Sequence, residues 1–521
     1  MYISNDDRIS SARSSASPGD ADLKDETPST KPEQITPHED EQQLERGLHN
    51  RHLQLIAIGG AIGTGLFLGS GRTIHLAGPS ILLVYLVIGF FLFFVMRAMG
   101  ELLLSNLAYK SFADFTTDLV GKPAGFYIGW TYWMCWVVIG IADTTAICGY
   151  LSLWFPTLPK WIPALCVVLL LTGLNMVAVR IFGELEFWFA MIKIVTIIAL
   201  ILIGGYLALT AFQPPVSGAP AASFTHLWDR GGFFPTGFMG FLAGFQIAIF
   251  SFQGIEMAGT AAAETKDPEH NLPKAINSIP ARVLIFYILA LGVIMSVQPW
   301  DLIDPDQSPF VEMFGFIGIL IAFHVINFVV LTSAASSANS GVFSTSRIMY
   351  GMAREKNAPS RFAGLSGRHV PRNALVLTAL CISPAIVLVM LSDSVMDAFS
   401  MVAGVSSVLY ISVWGLIMVA YLRYLKKFPE RHDESIFPMP FGRAMSWATL
   451  VFFVAVLVAL SLSEDTRIAL FAAPVWILFM IVVYRALRGT RATAEAIDFD
   501  AERIRAREVL ERERAAEESE G

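Results

Sequence analysis

The chain has 521 residues, of which 54% are hydrophobic and only 16% are charged. A typical soluble domain carries about 25% charged residues, so this composition excludes an ordinary water-soluble enzyme. The net charge of −7 is uneven: residues 1–50 and 495–521 together carry −11, which leaves +4 for the middle. No basic patch for nucleic acid is expected. The four cysteines lie in apolar runs without metal-ligand spacing, so we predict no disulfide, metal site or cofactor.

Apolar runs of membrane-spanning length recur through the chain after a polar first segment. A membrane helix needs about 20 such residues. The runs cover roughly 53–71, 79–101, 124–150, 161–179, 187–210, 238–263, 282–298, 311–346, 374–391, 397–422, 444–462 and 467–485. We therefore predict an all-α integral membrane protein with twelve transmembrane helices in a domain over 51–486. Residues 1–50 are expected to be a disordered tail and 487–521 a charged tail, either a solvated helix or disordered.

The distribution of Lys and Arg predicts the orientation of the chain in the membrane, because these residues resist translocation. With a cytoplasmic N-terminus, the inner connections hold seventeen Lys and Arg and the outer connections hold four. Both tails are therefore predicted to be cytoplasmic.

The first predicted helix contains a cluster of glycines that predicts an interruption. Its centre reads IAIGGAIGTGLFLGSG, with Gly59, Gly60, Gly63 and Gly65 within seven residues. Each glycine costs up to about 1 kcal/mol in a helix relative to alanine. Close packing through small residues is the alternative, since Gly65 and Gly69 form a GxxxG pair. Packing alone does not account for the whole cluster, so an interruption is favoured.

The sixth predicted helix carries a matching irregularity. Its middle reads AIFSFQGIEMAG, which places Ser251, Gln253, Gly254 and Glu256 in an apolar run. Helices 1 and 6 each begin a block of five helices, and an odd number of spans inverts the second block. Interrupted helices at matching positions of two halves indicate a substrate site at the membrane midplane. The alternative is that these polar side chains only hydrogen-bond neighbouring helices.

The backbone groups freed by two such breaks suit a zwitterionic amino acid. Helix 1 would present N–H groups and a positive dipole end near Thr64 and Gly65, which suits a carboxylate. Free carbonyls near Phe250 and Ala61, with Gln253 just beyond, suit an ammonium. Phe250 is expected to cap the side-chain pocket, although plain packing is the commoner role of a membrane aromatic.

Long motifs of the chain resemble the amino acid/polyamine/organocation superfamily. They include IGGAIGTGLFLGSG, FFVMRAMGELL, FWFAMIKIV, SFQGIE and AAAETKDPEHNLPKAI. Within it, the chain is similar to the bacterial amino-acid permease branch that contains the GABA and aromatic amino-acid permeases. WTYWMCWV, INSIPARV, VINFVVLTSAASSANSGVFSTSR and SEDTRIAL resemble permeases for D-serine, D-alanine and glycine. The resemblance spans about residues 47–485.

This resemblance implies a LeuT-like fold: inverted five-helix repeats over about 51–211 and 237–423, followed by two extra helices over about 443–485. It implies proton symport across the bacterial inner membrane. Glycine, D-alanine, D-serine, L-alanine and D-cycloserine are the implied substrates. The implied substrate-binding residues are Ala61, Gly63, Thr64, Gly65, Phe250, Ser251, Gln253 and Gly254.

Charged residues within the predicted spans are candidates for proton coupling, because charge is costly in the hydrocarbon region. Lys193 lies six residues into helix 5, where it could load and release the coupled proton, snorkel to the interface or form a structural pair. Glu256 could carry the proton or accept hydrogen bonds from freed N–H groups. Arg97 and Glu101 are spaced for an intrahelical pair. Asp143 could either face the outward vestibule and attract cationic or zwitterionic ligands, or pair with a polar neighbour.

Other functions make different demands on the sequence. A membrane-embedded enzyme would need a nucleophile with its base, or clustered metal ligands, and the spans contain neither pattern. A nutrient sensor or an amino-acid exchanger would share the fold. A permease of different specificity, such as one for GABA, is a further alternative.

Overall fold

The structure, a computed structural model, describes residues 62–109, 111–177, 179–257, 267–366, 370–462, 464–487, 499–501 and 503–504. Within these ranges the chain is helical and contains no β-strand. Helices are the expected solution for a lipid-embedded chain, because each backbone N–H and C=O then finds its partner within the same segment.

The helices are numbered here in chain order. They are α1 Thr64–Phe67, α2 Gly69–Ala77, α3 Ile81–Ser105, α4 Phe112–Leu119, α5 Lys122–Ser152, α6 Trp161–Val177, α7 Val179–Leu209, α8 Gly237–Ala248, α9 Pro268–Asn277, α10 Ile279–Arg282, α11 Ala290–Val297, α12 Pro309–Phe316, α13 Leu320–Arg354, α14 Arg372–Ile382, α15 Pro384–Leu391, α16 Val395–Lys427, α17 Pro429–Asp433, α18 Gly442–Ser461 and α19 Glu464–Ala486. Short 3₁₀ helices cover Gly78–Ser80, Phe224–Leu227, Ile249–Phe252, Trp300–Leu302 and Ser360–Phe362.

Nine helical stretches of the described chain are long and apolar enough to cross a membrane, and α6 and α8 are shorter apolar helices. One of the nine, Gly69–Ser105, joins α2 to α3 through a turn at Gly78. Gly78 has φ +60°, which disfavours any residue with a Cβ. The first predicted run, 53–71, is described only from Ile62 onward. The total of twelve spans therefore stays a prediction.

The long helix α5 organises the interior, because it packs along both α13 and α16. The short helices α1 and α8 contact this group and each other. Most of α5 is buried, including Thr144, Thr145 and Asp143. The structure therefore places the polar middle of α5 beside the two helices for which the sequence predicts interruptions.

A π-helical segment, Val283–Leu289, lies between α10 and α11. Its residue Tyr287 is 2% exposed, and its hydroxyl donates a hydrogen bond of 2.8 Å to the carbonyl of Ser251. π turns are uncommon and occur frequently at functional sites. Here the wider turn directs a tyrosine to the chain that follows α8.

The described part of the C-terminal segment contacts the rest of the protein. The Asn106 side chain donates to the carbonyl of Phe499 at 3.0 Å, and Arg431 forms an ion pair with Asp500 at 2.9 Å. Phe499 and Asp500 are helical, and the Asp500 side chain is 66% exposed. The solvated helix or disordered tail predicted for 487–521 stays a prediction.

Candidate functional site

The chain leaves helical geometry immediately before α1. Gly63 is extended, with φ −124° and ψ −165°, and α1 begins at Thr64. Leu68 has right-handed helical angles, so α1 continues into α2 as one helical segment, which we call the outer half-helix after its predicted orientation. A helix that begins at Thr64 leaves its first N–H groups without intrahelical acceptors. Ala61, whose carbonyl is the predicted acceptor on the other side of the break, lies outside the described residues.

The second predicted interruption is found directly after α8. The helix tightens into the 3₁₀ turn Ile249–Phe252, Gln253 is extended with ψ +142°, and Gly254 has φ +89°. The Gln253 N–H donates to the Phe250 carbonyl at 3.2 Å. That carbonyl keeps a second lone pair for another donor.

The start of α1 and the turn after α8 face each other at very short range. A Cβ placed on Gly65 would lie 2.6 Å from the Cα of Ser251 and 2.8 Å from Cδ1 of Phe250. A Cβ on Gly69 would lie 2.8 Å from a methyl carbon of Ile247. The packing alternative for the glycine cluster therefore applies to Gly65 and Gly69. Gly63 is extended just before α1, but the chain on the other side of the predicted interruption lies outside the described residues, so the interruption of helix 1 stays a prediction.

A small, partly open cavity of about 20 Å³ lies between the two segments. Its lining combines the irregular backbone of both segments with one face each of α5 and α13. The lining residues are Gly63, Thr64, Gly65, Trp136, Ile139, Asp143, Phe250, Ser251, Gln253 and Ser337. Irregular backbone on either side of this cavity provides polar main-chain groups where an otherwise apolar interior has none.

Six of the eight predicted substrate-binding residues line this cavity, and Gly254 is next to it in sequence but is not part of the lining. Trp136, Ile139 and Ser337 were not predicted. Trp136 and Ile139 look like ordinary membrane residues in the sequence. Ser337 belongs to the polar run of α13, which indicated a scaffold helix rather than a particular contact.

Asp143 acquires a defined position in this cavity. Its side chain is fully buried, and Oδ1 accepts a hydrogen bond of 2.6 Å from the Thr64 hydroxyl. Ser337 of α13 lines the same cavity. The hydrogen bond from Thr64 therefore ties α5 to the first residue of α1.

Lys193 lies behind this carboxylate, outside the cavity lining. It is 1% exposed, which excludes the snorkelling alternative in this conformation. Asp143 and Glu186 are the two acidic groups close enough to interact with it electrostatically. Glu186 in turn accepts a hydrogen bond of 2.7 Å from Ser336. A buried series of charged and polar groups thus runs from α7 to the start of α1.

Glu256 is fully buried but belongs to a separate group of polar residues. Its Oε1 accepts a hydrogen bond of 3.2 Å from the Tyr410 hydroxyl. The carboxylate also lies within hydrogen-bonding reach of Tyr132 and of the backbone at Gly254. It therefore contacts the backbone at the second interruption and lies outside the cavity lining.

The expected intrahelical pair of Arg97 and Glu101 is replaced by long-range contacts. Glu101 accepts hydrogen bonds from the Tyr421 hydroxyl at 2.6 Å, His432 Nδ1 at 2.6 Å and the Met439 N–H at 2.7 Å. Arg97 instead stacks over the ring of Phe437 at 3.6 Å. Residues about 320 to 340 positions away supply these partners, so i,i+4 spacing could not reveal them.

The loop and helix before α13 cover the outer half-helix. Phe310 packs edge-to-face on Phe67, with ring centroids 4.9 Å apart. Glu312 holds the loop by accepting hydrogen bonds from the Asp304 N–H at 3.0 Å and from the Gln298 amide at 2.7 Å. Burial raises the pKa of Glu312 to about 7, although these hydrogen bonds act in the opposite direction.

Comparison with known proteins places the chain in a family. It matches the amino acid permease family model over residues 52–494. It is 58% identical to a D-serine/D-alanine/glycine transporter of Escherichia coli strain K12 over 436 residues, or 84% of this chain and 92% of that protein.

More distant relatives are amino-acid transporters as well. The amino-acid permease AapA of Bacillus subtilis strain 168 is 47% identical, with 85% of this chain and 95% of that protein covered. The aromatic amino acid transport protein AroP of E. coli strain K12 is 39% identical, with 87% and 98% covered. The chain is a multi-pass membrane protein that belongs to the amino acid permease family.

Proposed function

We propose that this permease imports small neutral amino acids by proton symport, with alternating access to one central site. The observation that carries the proposal is the cavity between the start of α1 and the turn after α8, which offers main-chain groups to a zwitterion. The substrates are glycine, D-alanine, D-serine and L-alanine, together with the analogue D-cycloserine. The relative that transports D-serine, D-alanine and glycine supports this choice.

The substrate carboxylate binds the N–H groups at Gly63, Thr64 and Gly65, where the positive end of the outer half-helix favours an anion. The ammonium binds the carbonyls of Ala61, Phe250 and Gln253, with Ser251 and Gly254 completing the second break. The ring of Phe250 limits the space for the substrate side chain. It is held edge-to-face against Phe399 with centroids 5.4 Å apart, so it cannot move aside freely.

The proposed architecture has twelve transmembrane helices in a LeuT-like arrangement. Inverted repeats cover about 51–211 and 237–423, and two further helices cover about 443–485. The protein lies in the bacterial inner membrane with both tails, 1–50 and 487–521, in the cytoplasm. The paired interruptions support the inverted repeats, and the excess of Lys and Arg in alternate connections supports the orientation.

Lys193 and Glu256 are the proposed proton-coupling residues. Lys193 acts on the substrate site through Asp143 and Thr64, so a change in its protonation alters the hydrogen bond at the first turn of α1. Ligand and proton each shift the conformational equilibrium through their differential affinity for the two states. One proton entering down 100 mV contributes about 2.3 kcal/mol, enough for nearly fifty-fold accumulation of a neutral substrate.

Uptake by proteoliposomes tests the proposal. We expect radiolabelled glycine and D-alanine to accumulate under an inward proton gradient without sodium, and D-serine and D-cycloserine to compete. Uptake that needs preloaded internal amino acid would identify an exchanger instead. Competition by GABA but not by D-serine would assign a different specificity.

The Lys193→Met variant tests the coupling role. We expect gradient-driven accumulation to be lost, while exchange of external for internal amino acid continues, because the substrate contacts lie at the helix breaks. Lys160→Met, in the connection between α5 and α6, is the matched control and should accumulate substrate normally. Unaltered accumulation by Lys193→Met would contradict the coupling role.

A further inference from the structure

We propose that the side-chain amide of Gln253 is a specificity-determining group that donates a hydrogen bond to an oxygen on the substrate's side chain. The site would therefore favour serine over alanine by more than size alone predicts. This inference rests on the proposed function and deepens it. It adds a side-chain contact to a site that otherwise recognises only main-chain atoms.

The position of Gln253 brings its side chain to the cavity. The residue follows the 3₁₀ turn that ends α8, lines the cavity, and is 7% exposed. Phe250, which limits the side-chain space, lies one turn earlier on the same segment. The amide therefore lies on the side of the cavity where a substrate side chain is expected.

Ser406 of α16 orients this amide. Its hydroxyl donates a hydrogen bond of 2.6 Å to Oε1 of Gln253. With the oxygen engaged, the Nε2 group remains for another partner. Nε2 is buried and makes no hydrogen bond to any described residue. Both members of the pair are buried, so Gln253 is held in place by a neighbour rather than by solvent.

The chemistry of the substrate restricts what Nε2 can bind. A buried N–H without a partner costs about 1–3 kcal/mol, which an acceptor on a ligand would recover. The substrate ammonium consists only of donors, and its carboxylate is bound at the start of α1. The remaining acceptor on a small amino acid is a side-chain oxygen, which serine has and which glycine and alanine lack.

Competition assays on purified, reconstituted protein test this inference. Inhibition constants for D-serine and D-alanine are measured against radiolabelled glycine in the wild type and in Gln253→Met, which keeps side-chain length but removes the donor. We expect the preference for D-serine over D-alanine to fall by about 3- to 10-fold, as for the loss of one neutral hydrogen bond. Ser406→Ala should lower the same ratio to a smaller extent, because it removes only the group that orients the amide.

Gln246→Met is the matched control. Gln246 lies on α8, the helix that precedes the Gln253 turn, and is also buried, but its amide donates to the Ala459 carbonyl at 3.4 Å and is not part of the cavity lining. We expect its D-serine to D-alanine ratio to equal that of the wild type. The inference would be overturned if Gln253→Met kept the wild-type ratio, whether its affinity for the two substrates stayed the same or fell equally for both.

A measurement on the wild type tests the inference even if the Gln253→Met variant does not fold. D-2-Aminobutyrate carries a methyl group where D-serine carries its hydroxyl, so the two differ little in size. We expect D-serine to compete at least threefold better, and equal competition would also overturn the inference. If the wild type takes up none of these amino acids, the proposed function itself fails. If it takes up D-serine and D-2-aminobutyrate equally well, only the role of the Gln253 amide fails.

Discussion

Gly65 is the residue at which the start of α1 and the turn after α8 come closest. A Cβ there would overlap the backbone of Ser251, which cannot move without displacing the 3₁₀ turn after α8. The absence of a side chain at Gly65 therefore fixes the distance between the two sets of main-chain groups at the cavity.

We predict that Gly65→Ala lowers the rate of amino-acid uptake at least tenfold and destabilises the protein by about 1–3 kcal/mol, as overpacking does. Gly205→Ala is the control, because a Cβ at Gly205 of α7 meets nothing within 4 Å. Uptake by proteoliposomes and thermal unfolding in detergent measure the two effects. A Gly65→Ala protein with normal uptake would show that the two segments do not need this close contact.

Individual site residues differ in how visible they are in the sequence. Gly63 stands out because it belongs to a dense cluster of glycines, and Gln253 stands out because an amide is unusual in an apolar run. Asp143 stands out as a buried charge, but its partner Thr64 is 79 positions away, so only the fold can show the pair. Trp136 and Ile139 carry no signal, because apolar side chains suit lipid and cavity equally well.

Among the structural elements, the segment from Gln298 to α12 packs over the outer half-helix. The hydrogen bonds that hold this segment in place are accepted by one carboxylate, Glu312. Burial keeps the pKa of Glu312 at about 7 in the folded protein, whereas an exposed glutamate titrates near 4.3. Between these values the folded state binds more protons than the unfolded state. Stability therefore falls as pH rises from about 4 to about 7, and this contribution is constant above that range.

We predict that Glu312→Gln removes this pH-dependent contribution. The midpoint of thermal unfolding in detergent, measured from pH 4.5 to 8, should rise in the variant relative to the wild type as pH increases to about 7. Asp306→Asn, which removes an exposed carboxylate of the same loop, is the control and should leave the pH profile unchanged. Parallel profiles for Glu312→Gln and wild type would refute the assignment.

Sequence patterns predict where a membrane-spanning helix lies more readily than they predict a π or 3₁₀ turn within it. Hydrophobic runs locate α3, α5 and α16, since each needs only a long apolar segment. The π turn at Val283–Leu289 has the same composition as an ordinary helix, so no pattern distinguishes it. The 3₁₀ turn after α8 can be predicted more readily, because Gln253 and Gly254, which follow it, interrupt the apolar run of the sequence.

At the scale of the whole molecule, Glu101 joins parts of the chain that are far apart in sequence. It accepts hydrogen bonds from α16, from the segment around α17 and from the residues before α18, while lying on α3 itself. Its side chain is fully buried, whereas His432 is 27% exposed. One carboxylate thus fixes four segments at one end of the membrane domain.

We predict that Glu101→Ala destabilises the protein by about 2–5 kcal/mol, because it leaves three donors without their acceptor. Thermal unfolding in detergent and the yield of monodisperse protein measure this effect. Glu434→Ala removes an exposed carboxylate close to His432 in sequence and should be neutral. Equal stability of the two variants would mean that solvent or neighbouring groups replace Glu101.

Composition and hydropathy are sufficient to predict an all-helical membrane protein, because lipid permits few alternatives. The motifs predict the family correctly, as the match over residues 52–494 confirms. The contacts that hold distant segments together, such as Glu101 with Met439, depend on tertiary packing and leave no local pattern.

The π turn also has a consequence for comparing this permease with its relatives. A π turn holds one residue more than an α turn, so removing a residue from Val283–Leu289 would restore an α turn and remove the wider turn that directs Tyr287. Its hydroxyl would then point away from the Ser251 carbonyl, which would need another donor. A one-residue gap in an alignment at this position would therefore report a change at the break after α8, although the gap itself lies on the neighbouring helix.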